Sequence, residues 1–140
     1  MDKSTEDLQS ELTKAQSFDE FYRRNNAELQ FPSAADYLNY LLQSKNISKA
    51  SLIANSNLER TYVYHILSGS KTPGRNKLII LAIAAGADIA ETQNLLKYAQ
   101  ERPLYVRDRR DGLIYYGIDR GKSLMYINET LMENNLEILQ

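Results

Sequence analysis

The sequence predicts an all-α protein, and two observations support that fold class. Glycine and proline are scarce, with 6 and 3 among 140 residues, and they fall between segments whose apolar residues recur at helical spacing. Alternating apolar and polar residues, the pattern of a half-buried strand, are nearly absent. The chain divides into an acidic helical N-terminal arm (1–31), a central helical domain (32–101) and a C-terminal helical hairpin (102–140).

Two short helices are predicted in the N-terminal arm. The first is expected from Ser4 to about Ala15. The residues Ser17-Phe-Asp-Glu20 match a capping box, in which a serine and a glutamate satisfy the first N–H groups of a helix. A second helix is therefore expected from there to about Asn25.

Five helices are predicted in the central domain, each bounded by a capping residue or a turn. Their expected spans are Pro32 to about Lys45, Ser48 to about Asn55, Leu58 or Glu59 to Ser68, a segment from about Leu78 to Gly86, and Asp88 to about Glu101. Ser48 and Asp88 are favourable N-cap types, Gly69 suits the residue after a helix, and Pro103 ends the last helix.

The C-terminal hairpin is expected to contain helices at about Arg107–Arg120 and Ser123–Asn134, joined by a turn at Gly121. Its opening residues RDRRD (107–111) are interpreted as a solvated helix start, with a partner-binding surface as the alternative. Met125 and Met132 lie seven residues apart. We expect them to pack in the core, with a dimer seam as the alternative.

The amino-acid composition argues against several classes of protein. Hydrophobic residues make up 43% of the chain and charged residues 25%, as in a soluble globular protein. No apolar run of about 18 residues occurs, so neither a membrane span nor a signal peptide is expected, and the cytoplasm is the expected location. One histidine and no cysteine cannot supply a zinc site, and that histidine alone argues against a catalytic triad. We therefore expect no enzymatic activity, no cofactor and no metal.

The net charge of −1 conceals a local excess of positive charge. Residues 45–80 contain six basic side chains and one acidic side chain, a net charge of +5, whereas residues 1–44 and 81–140 carry −4 and −2. A basic patch on an acidic chain is typical of a modest DNA-binding surface. A chance scatter of charges on a solvated surface is the alternative.

The segment SNLERTYVYHILSGSKTP (56–73) lies at the centre of this basic region. Winding it at about 100° per residue places Val63, Ile66 and Leu67 on one face. The opposite face carries hydrogen-bond donors and rings: Arg60, Thr61, Tyr64, His65 and Ser68. A short helix precedes it across a tight connection at Ser56-Asn57, which predicts a helix-turn-helix whose second helix enters the DNA major groove.

The segment ISKASLIANSNLERTYVYHILSGSKTPGRNKLIILAIAAGAD (47–88) resembles the five-helix domain of Cro- and lambda-repressor-like regulators, the XRE family. The positions that match the family pattern without a gap are Ile47, Ser48, Lys49, Leu52, Leu58, Val63, Ile66, Gly69, Pro73, Leu78, Leu81, Ala82 and Gly86. With the preceding helix, the resemblance covers residues 34–98, somewhat under half of the chain. It implies a lambda-repressor-like helix-turn-helix core and a bacterial or phage-type transcriptional regulator that binds duplex DNA.

The resemblance implies a role for ten side chains. Those expected to contact base edges are Arg60, Thr61, Tyr64 and His65, and those expected to contact the DNA backbone are Ser48, Lys49, Tyr62, Lys71, Thr72 and Arg75. Arginine can grip guanine O6 and N7 with two hydrogen bonds, and a helix N-terminus beside a cation favours a phosphate. For His65 the alternative is an ordinary surface histidine.

Three departures from the family pattern concern the proposed reading helix and its turn. Asn57 replaces the turn glycine, Glu59 replaces the serine N-cap and is expected to cap less well, and Leu67 replaces a solvated acidic residue. The alternative function is a protein-interaction adaptor that retains the fold without DNA binding, and an enzyme accessory subunit is a third option. Expected partners are duplex DNA, a second copy of the chain, and a protein docked on the hairpin or the arm, with no membrane.

Overall fold

The computed structural model describes residues 3–24 and 31–140, and within these residues every regular element is an α-helix. In chain order the helices are α1 (Thr5–Lys14), α2 (Phe18–Arg24), α3 (Ala34–Ser44), α4 (Lys49–Ser56), α5 (Arg60–Ser68), α6 (Arg75–Ala84), α7 (Ile89–Tyr98), α8 (Arg109–Asp119) and α9 (Leu124–Glu133). The predicted all-α class is confirmed. The chain forms two compact units, residues 1–31 and 32–140.

The N-terminal unit contains α1 and α2, each of which begins at a serine. Ser4 Oγ accepts a hydrogen bond from the Asp7 N–H at 3.1 Å, and Ser17 Oγ accepts one from the Glu20 N–H at 3.1 Å. Every residue of α1 is at least partly exposed, and the Ser4 cap satisfies one of the first N–H groups of this helix. The end of the second helix predicted near Asn25 lies outside the described residues.

Helix α6 is the centre of the second unit. Residues 78–82 are each at most 2% exposed, so this helix is covered on all sides. Helices α4, α7 and α9 pack against it. Helix α3 packs on α5 and α7, and its apolar stripe is buried in these contacts: Tyr37, Leu38, Leu41 and Leu42. The helix α5 is thus held on a scaffold of packed helices.

Capping side chains begin the helices close to the predicted positions. Ser48 and Ser123 each accept a hydrogen bond from the backbone N–H three residues onward. Asp88 forms a complete capping box with Glu91 at the start of α7. These bonds satisfy N–H groups that have no partner within their own helix.

The C-terminal hairpin and the central helices lie in one compact unit, although the sequence suggested a boundary after residue 101. Helix α8 packs on α7, and α9 packs on α6. Two side-chain amides hold the non-helical segments: Gln93 bonds both backbone groups of Leu104, and Asn128 bonds both backbone groups of Leu139, at 2.8 and 3.0 Å in each case. We call these two contacts the amide clamps.

Two expectations for the hairpin are wrong, the first of them at one residue only. Arg107, Asp108 and Arg109 are exposed as a solvated helix start should be, but Asp111 is 1% exposed. Met125 and Met132, expected in the core, are 72% and 65% exposed. Helix α9 buries a single face, built from Ile127 and Leu131 at 0% exposure, and the two methionines lie on the opposite side of the helix.

Candidate nucleic-acid interface

Helix α5 buries one face and exposes the other, in agreement with the winding of its sequence. Val63, Ile66 and Leu67 are buried. The exposed side carries Arg60, Thr61, Tyr64, His65 and Ser68. Leu67 is therefore a core residue and not an apolar side chain in solvent, because α3 packs on this face of α5.

The carboxylate of Glu59 caps α5. Its Oε1 accepts the Thr61 N–H at 3.0 Å and its Oε2 accepts the Tyr62 N–H at 2.9 Å. These two backbone hydrogen bonds hold the pKa of Glu59 below its usual range. The expectation of a weaker cap is wrong, because the longer side chain reaches two N–H groups at once and its charge suits a helix N-terminus.

The turn between α4 and α5 is fixed by two residues. Asn57 adopts φ 57° and ψ 25°, the left-handed conformation that glycine supplies in the family pattern. Ser56 is buried, and its hydroxyl donates to the Ile53 carbonyl and accepts the Leu58 N–H. The connection therefore sets the direction in which α5 leaves α4 without a glycine.

Three cations surround two tyrosine rings at this surface. Lys49 Nζ and Arg60 Cζ each lie 5.4 Å from the centroid of the Tyr64 ring. Lys71 Nζ lies 5.6 Å from the centroid of the Tyr62 ring. Since Lys49 begins α4, Arg60 begins α5 and Lys71 follows α5, the fold gathers positive charge from three separate segments.

A shallow groove of about 220 Å³ runs between α4 and α5. Its floor is apolar, from Ala50, Ile53 and Ala54, and its rim carries Arg60 and Tyr64. The small floor residues were not assigned a role from the sequence. Their signal was present, because Ala50 and Ala54 are four residues apart and therefore share one side of α4.

His65 lies on the exposed side of α5, where its imidazole Nδ1 is 2.8 Å from Ser70 Oγ. The loop after α5 returns to the same residue, because the Lys71 N–H donates to the His65 carbonyl at 3.1 Å. Gly69, with φ 83°, allows this reversal. Lys71 and Thr72 are exposed in the loop. Sequence reasoning missed Ser70, which binds the only histidine in the chain.

Arg75 does not join this surface, although it was expected to contact the DNA backbone. Its Nη1 and Nη2 donate to both carboxylate oxygens of Asp111 at 3.0 and 2.8 Å. Its other donors bond the carbonyls of Arg102 and Pro103. The Arg75 side chain is 12% exposed. Its guanidinium supplies the positive charge that the buried Asp111 carboxylate needs. Lys45 is also engaged, at 2.9 Å from Glu91.

The remaining nine expected contact residues lie on α4, on α5 or in the loop after α5. Tyr62 is half-buried, and the other eight, which include Ser48 as the cap of α4, are exposed: Ser48, Lys49, Arg60, Thr61, Tyr64, His65, Lys71 and Thr72. The arrangement offers charged and neutral N–H donors, hydroxyls and ring faces on one short helix and its neighbours. Such groups can bond base edges and phosphates.

The described residues contain no group of three or more His, Cys, Asp or Glu side chains that could hold a metal ion. Among the helices in the described part of the chain, none is both long enough and apolar enough to cross a membrane.

No protein-family model matches the chain, and comparisons with curated proteins and with solved structures also gave no significant match.

Proposed function

We propose that the protein is a transcriptional regulator that binds duplex DNA sequence-specifically through a lambda-repressor-like helix-turn-helix made of α4 and α5. In this proposal α5 lies in the major groove and the start of α4 lies against the phosphate backbone. The observation that carries the proposal is the cluster of Lys49, Arg60 and Lys71 around the rings of Tyr62 and Tyr64. This cluster lies beside the exposed donors of α5.

The dimensions of α5 suit a major groove. An α-helix with its side chains is about 10–12 Å in diameter, and the major groove of B-DNA is about 12 Å wide, so α5 (9 residues) fits into the groove. Arg60 and Thr61 lie in the first turn, the part of a recognition helix that contacts base edges. Tyr64 and His65 follow one turn later on the same exposed side. These four residues are the proposed base contacts.

Phosphate contacts are proposed for the residues that flank α5. Ser48 and Lys49 form the N-terminus of α4, where the helix dipole and the ammonium charge both favour an anion. Lys71 and Thr72 are exposed in the following loop, and the ring of Tyr62 on α5 contacts Lys71. Binding as a dimer would place two α5 helices on half-sites about 34 Å apart.

The test is selection of bound sequences from a random duplex library at about 150 mM salt, near the physiological value. The wild-type chain would be run beside Arg60→Ala and beside Arg107→Ala, a matched control because Arg107 is exposed outside α4, α5 and their loop. We expect an enriched motif for the wild type and for Arg107→Ala, and a relaxed motif for Arg60→Ala. No enrichment by a folded wild-type protein would overturn the proposal.

Salt dependence separates phosphate contacts from base contacts. Replacing a lysine that neutralises one phosphate should reduce the slope of log affinity against log salt by about 1. We expect this for Lys49→Ala and Lys71→Ala, with similar losses on all DNA sequences. A matched Lys97→Ala variant, at an exposed position of α7, should leave the slope unchanged.

A protein-interaction adaptor is the second candidate function, and one observation favours it. Met125 and Met132 form an exposed apolar stripe on α9, of the kind that marks interaction surfaces. Under this alternative, Met125→Ser and Met132→Ser would abolish binding of the protein partner in cells, while Arg60→Ala would leave that binding unchanged. The DNA-binding proposal predicts the opposite ranking.

A further inference from the structure

The imidazole of His65 is held by a small hydroxyl network at the end of α5. Nδ1 is 2.8 Å from Ser70 Oγ, and Ser68 Oγ is 3.0 Å from the His65 carbonyl oxygen. Two further oxygen–oxygen distances are longer: Ser68 Oγ to Ser70 Oγ is 3.1 Å, and Ser70 Oγ to the His65 carbonyl is 3.2 Å. Nδ1 therefore points towards the loop after α5, and Nε2 has no hydrogen-bond partner within the described residues.

The distances favour one arrangement of the hydroxyl protons. Hydrogen bonds between two oxygens usually span about 2.5–3.0 Å, so Ser68 donates to the His65 carbonyl at 3.0 Å, and the two longer contacts are weak. The second lone pair of that carbonyl accepts the Lys71 N–H at 3.1 Å. With the carbonyl occupied, the single proton of Ser70 has its best acceptor in His65 Nδ1.

A neutral imidazole carries one proton, and a nitrogen that accepts a hydrogen bond cannot also hold it. If Ser70 donates to Nδ1, the proton of neutral His65 is on Nε2, the nitrogen that faces outward. The second observation that supports this orientation is exposure, since His65 lies on the exposed side of α5 beside Thr61 and Tyr64.

We propose that Ser70 fixes His65 as an outward N–H donor, which favours guanine over cytosine at one position of the DNA site. Guanine presents two acceptors in the major groove, N7 and O6, whereas cytosine presents the N4 amino donor, which would oppose the Nε2–H. This inference rests on the proposed function, because it assigns one base preference within the proposed DNA site. Ser70 acts through His65 and is a positioning residue.

The first test needs no DNA. The chain has a single histidine, so two-dimensional ¹H–¹⁵N spectra of the imidazole report His65 alone. At about pH 8.5, where free imidazole is neutral, we expect a protonated Nε2 and an unprotonated Nδ1 in the full-length protein. Ser70→Ala should move the ring towards a mixture of the two tautomers. Ser44→Ala, which removes an exposed hydroxyl that bonds the Leu41 carbonyl and does not contact His65, should leave the spectrum unchanged.

A protonated Nδ1 in the wild type would overturn the inference, as would a Ser70→Ala spectrum identical to that of the wild type. Backbone spectra of the same samples report folding, so loss of structure in the variant would be recognised. In that case Ser70→Thr, which keeps the hydroxyl, and Ser70→Cys, a much weaker donor, give the same comparison with smaller disturbance.

The second test uses the sequence selected from the duplex library. We expect one position that favours guanine over cytosine by up to about tenfold, the size of one hydrogen-bond contribution. That preference should relax in Ser70→Ala and in His65→Ala, while the positions that depend on Arg60 keep theirs. A cytosine preference lost in His65→Ala would overturn the inference and leave the proposed function intact. No binding to any duplex would overturn the proposed function, whatever tautomer the spectra show.

Discussion

Asp111 carries its carboxylate into the interior of the second unit with 1% of its surface exposed. Burial alone raises the pKa of this carboxyl, but hydrogen bonds from Arg75 and from the Tyr105 N–H, together with the Arg75 charge, outweigh that effect and place the pKa below its usual range. A carboxylate so bonded stays ionised. One pair of side chains thus connects the start of α6 to α8.

Removing one partner of this ion pair should cost more stability than removing an exposed cation. We expect Arg75→Ala to lower the free energy of unfolding by about 3 kcal/mol, because it leaves the Asp111 charge buried without its counter-ion. Lys71→Ala should hardly change it. Urea unfolding of the two variants measures the difference. A loss below about 1 kcal/mol for Arg75→Ala would mean that the pair behaves as a surface salt bridge.

The same carboxylate should make stability depend on pH in acid. Its pKa is lower in the folded protein than in the unfolded chain, where it is about 3.9. Its stabilising contribution is therefore complete above about pH 4 and is lost as the pH falls through that value towards the folded pKa. In urea titrations between about pH 2 and 7, Asp111→Asn should show a shallower acid decline than the wild type. The exposed Asp119→Asn should follow the wild type, and parallel curves for all three proteins would contradict the assignment.

At the scale of elements, one residue at the start of α5 affects both the stability of the helix and the proposed binding of DNA. The Glu59 carboxylate bonds two N–H groups there and places a negative charge at the N-terminus of the helix that would enter the major groove of a polyanion. The residue can therefore favour folding and oppose DNA binding at once.

Two substitutions of Glu59 separate these effects. Glu59→Ala should lower the thermal unfolding midpoint, because it removes the cap. Glu59→Gln keeps an acceptor oxygen and removes the charge, so we expect a smaller loss of stability and tighter DNA binding at low salt. Melting curves and DNA titrations measure both, with Glu133→Gln as the exposed control on α9. Weaker DNA binding by Glu59→Gln would indicate that the carboxylate itself accepts a hydrogen bond from DNA.

Helices α8 and α9 are in close contact at Gly117. A Cβ added there would lie 2.5 Å from Ile127 Cγ1 and 2.9 Å from its Cδ1, and Ile127 is fully buried. Gly117→Ala should therefore destabilise the protein by about 1–3 kcal/mol in urea unfolding, as overpacking does. Gly74→Ala, whose Cβ would meet nothing within 4 Å, should have a much smaller effect. Adding Ile127→Ala should remove part of the extra cost of Gly117→Ala, and strict additivity of the two losses would exclude the clash.

Elements with local signals were predictable from the sequence, and contacts between distant residues were not. Ser48, Asp88 and Ser123 mark helix starts through bonds to neighbours three residues away. Arg75 and Asp111 are 36 residues apart, and the charge pattern does not distinguish an arginine that binds phosphate from one that binds a carboxylate across the fold. The face of α5 was predictable, whereas the partner of His65 depended on how the chain turns back after Gly69.

At the scale of the whole molecule, residues 32–140 form one compact unit in which the hairpin completes the packing around α6 and α7. The apolar spacing of α9 alone does not predict which face of this helix is buried, because Met125 and Met132 recur at helical spacing just as Ile127 and Leu131 do. Only the neighbouring helices determine which of those two faces is covered.

The amide clamps have a consequence for how fast backbone protons are replaced by deuterium. The N–H groups of Leu104 and Leu139 lie outside helices, yet each donates to a side-chain oxygen at 2.8 Å, and both leucines are buried. Because exchange requires these bonds to open, we expect both N–H groups to exchange about as slowly as those of the buried helices. In a deuterium-exchange time course, Gln93→Ala should accelerate Leu104 alone and Asn128→Ala should accelerate Leu139 alone. Rapid exchange at both sites in the wild type would contradict this. Slow exchange would mean that the N–H groups of two non-helical segments are protected as strongly as those of the buried helices.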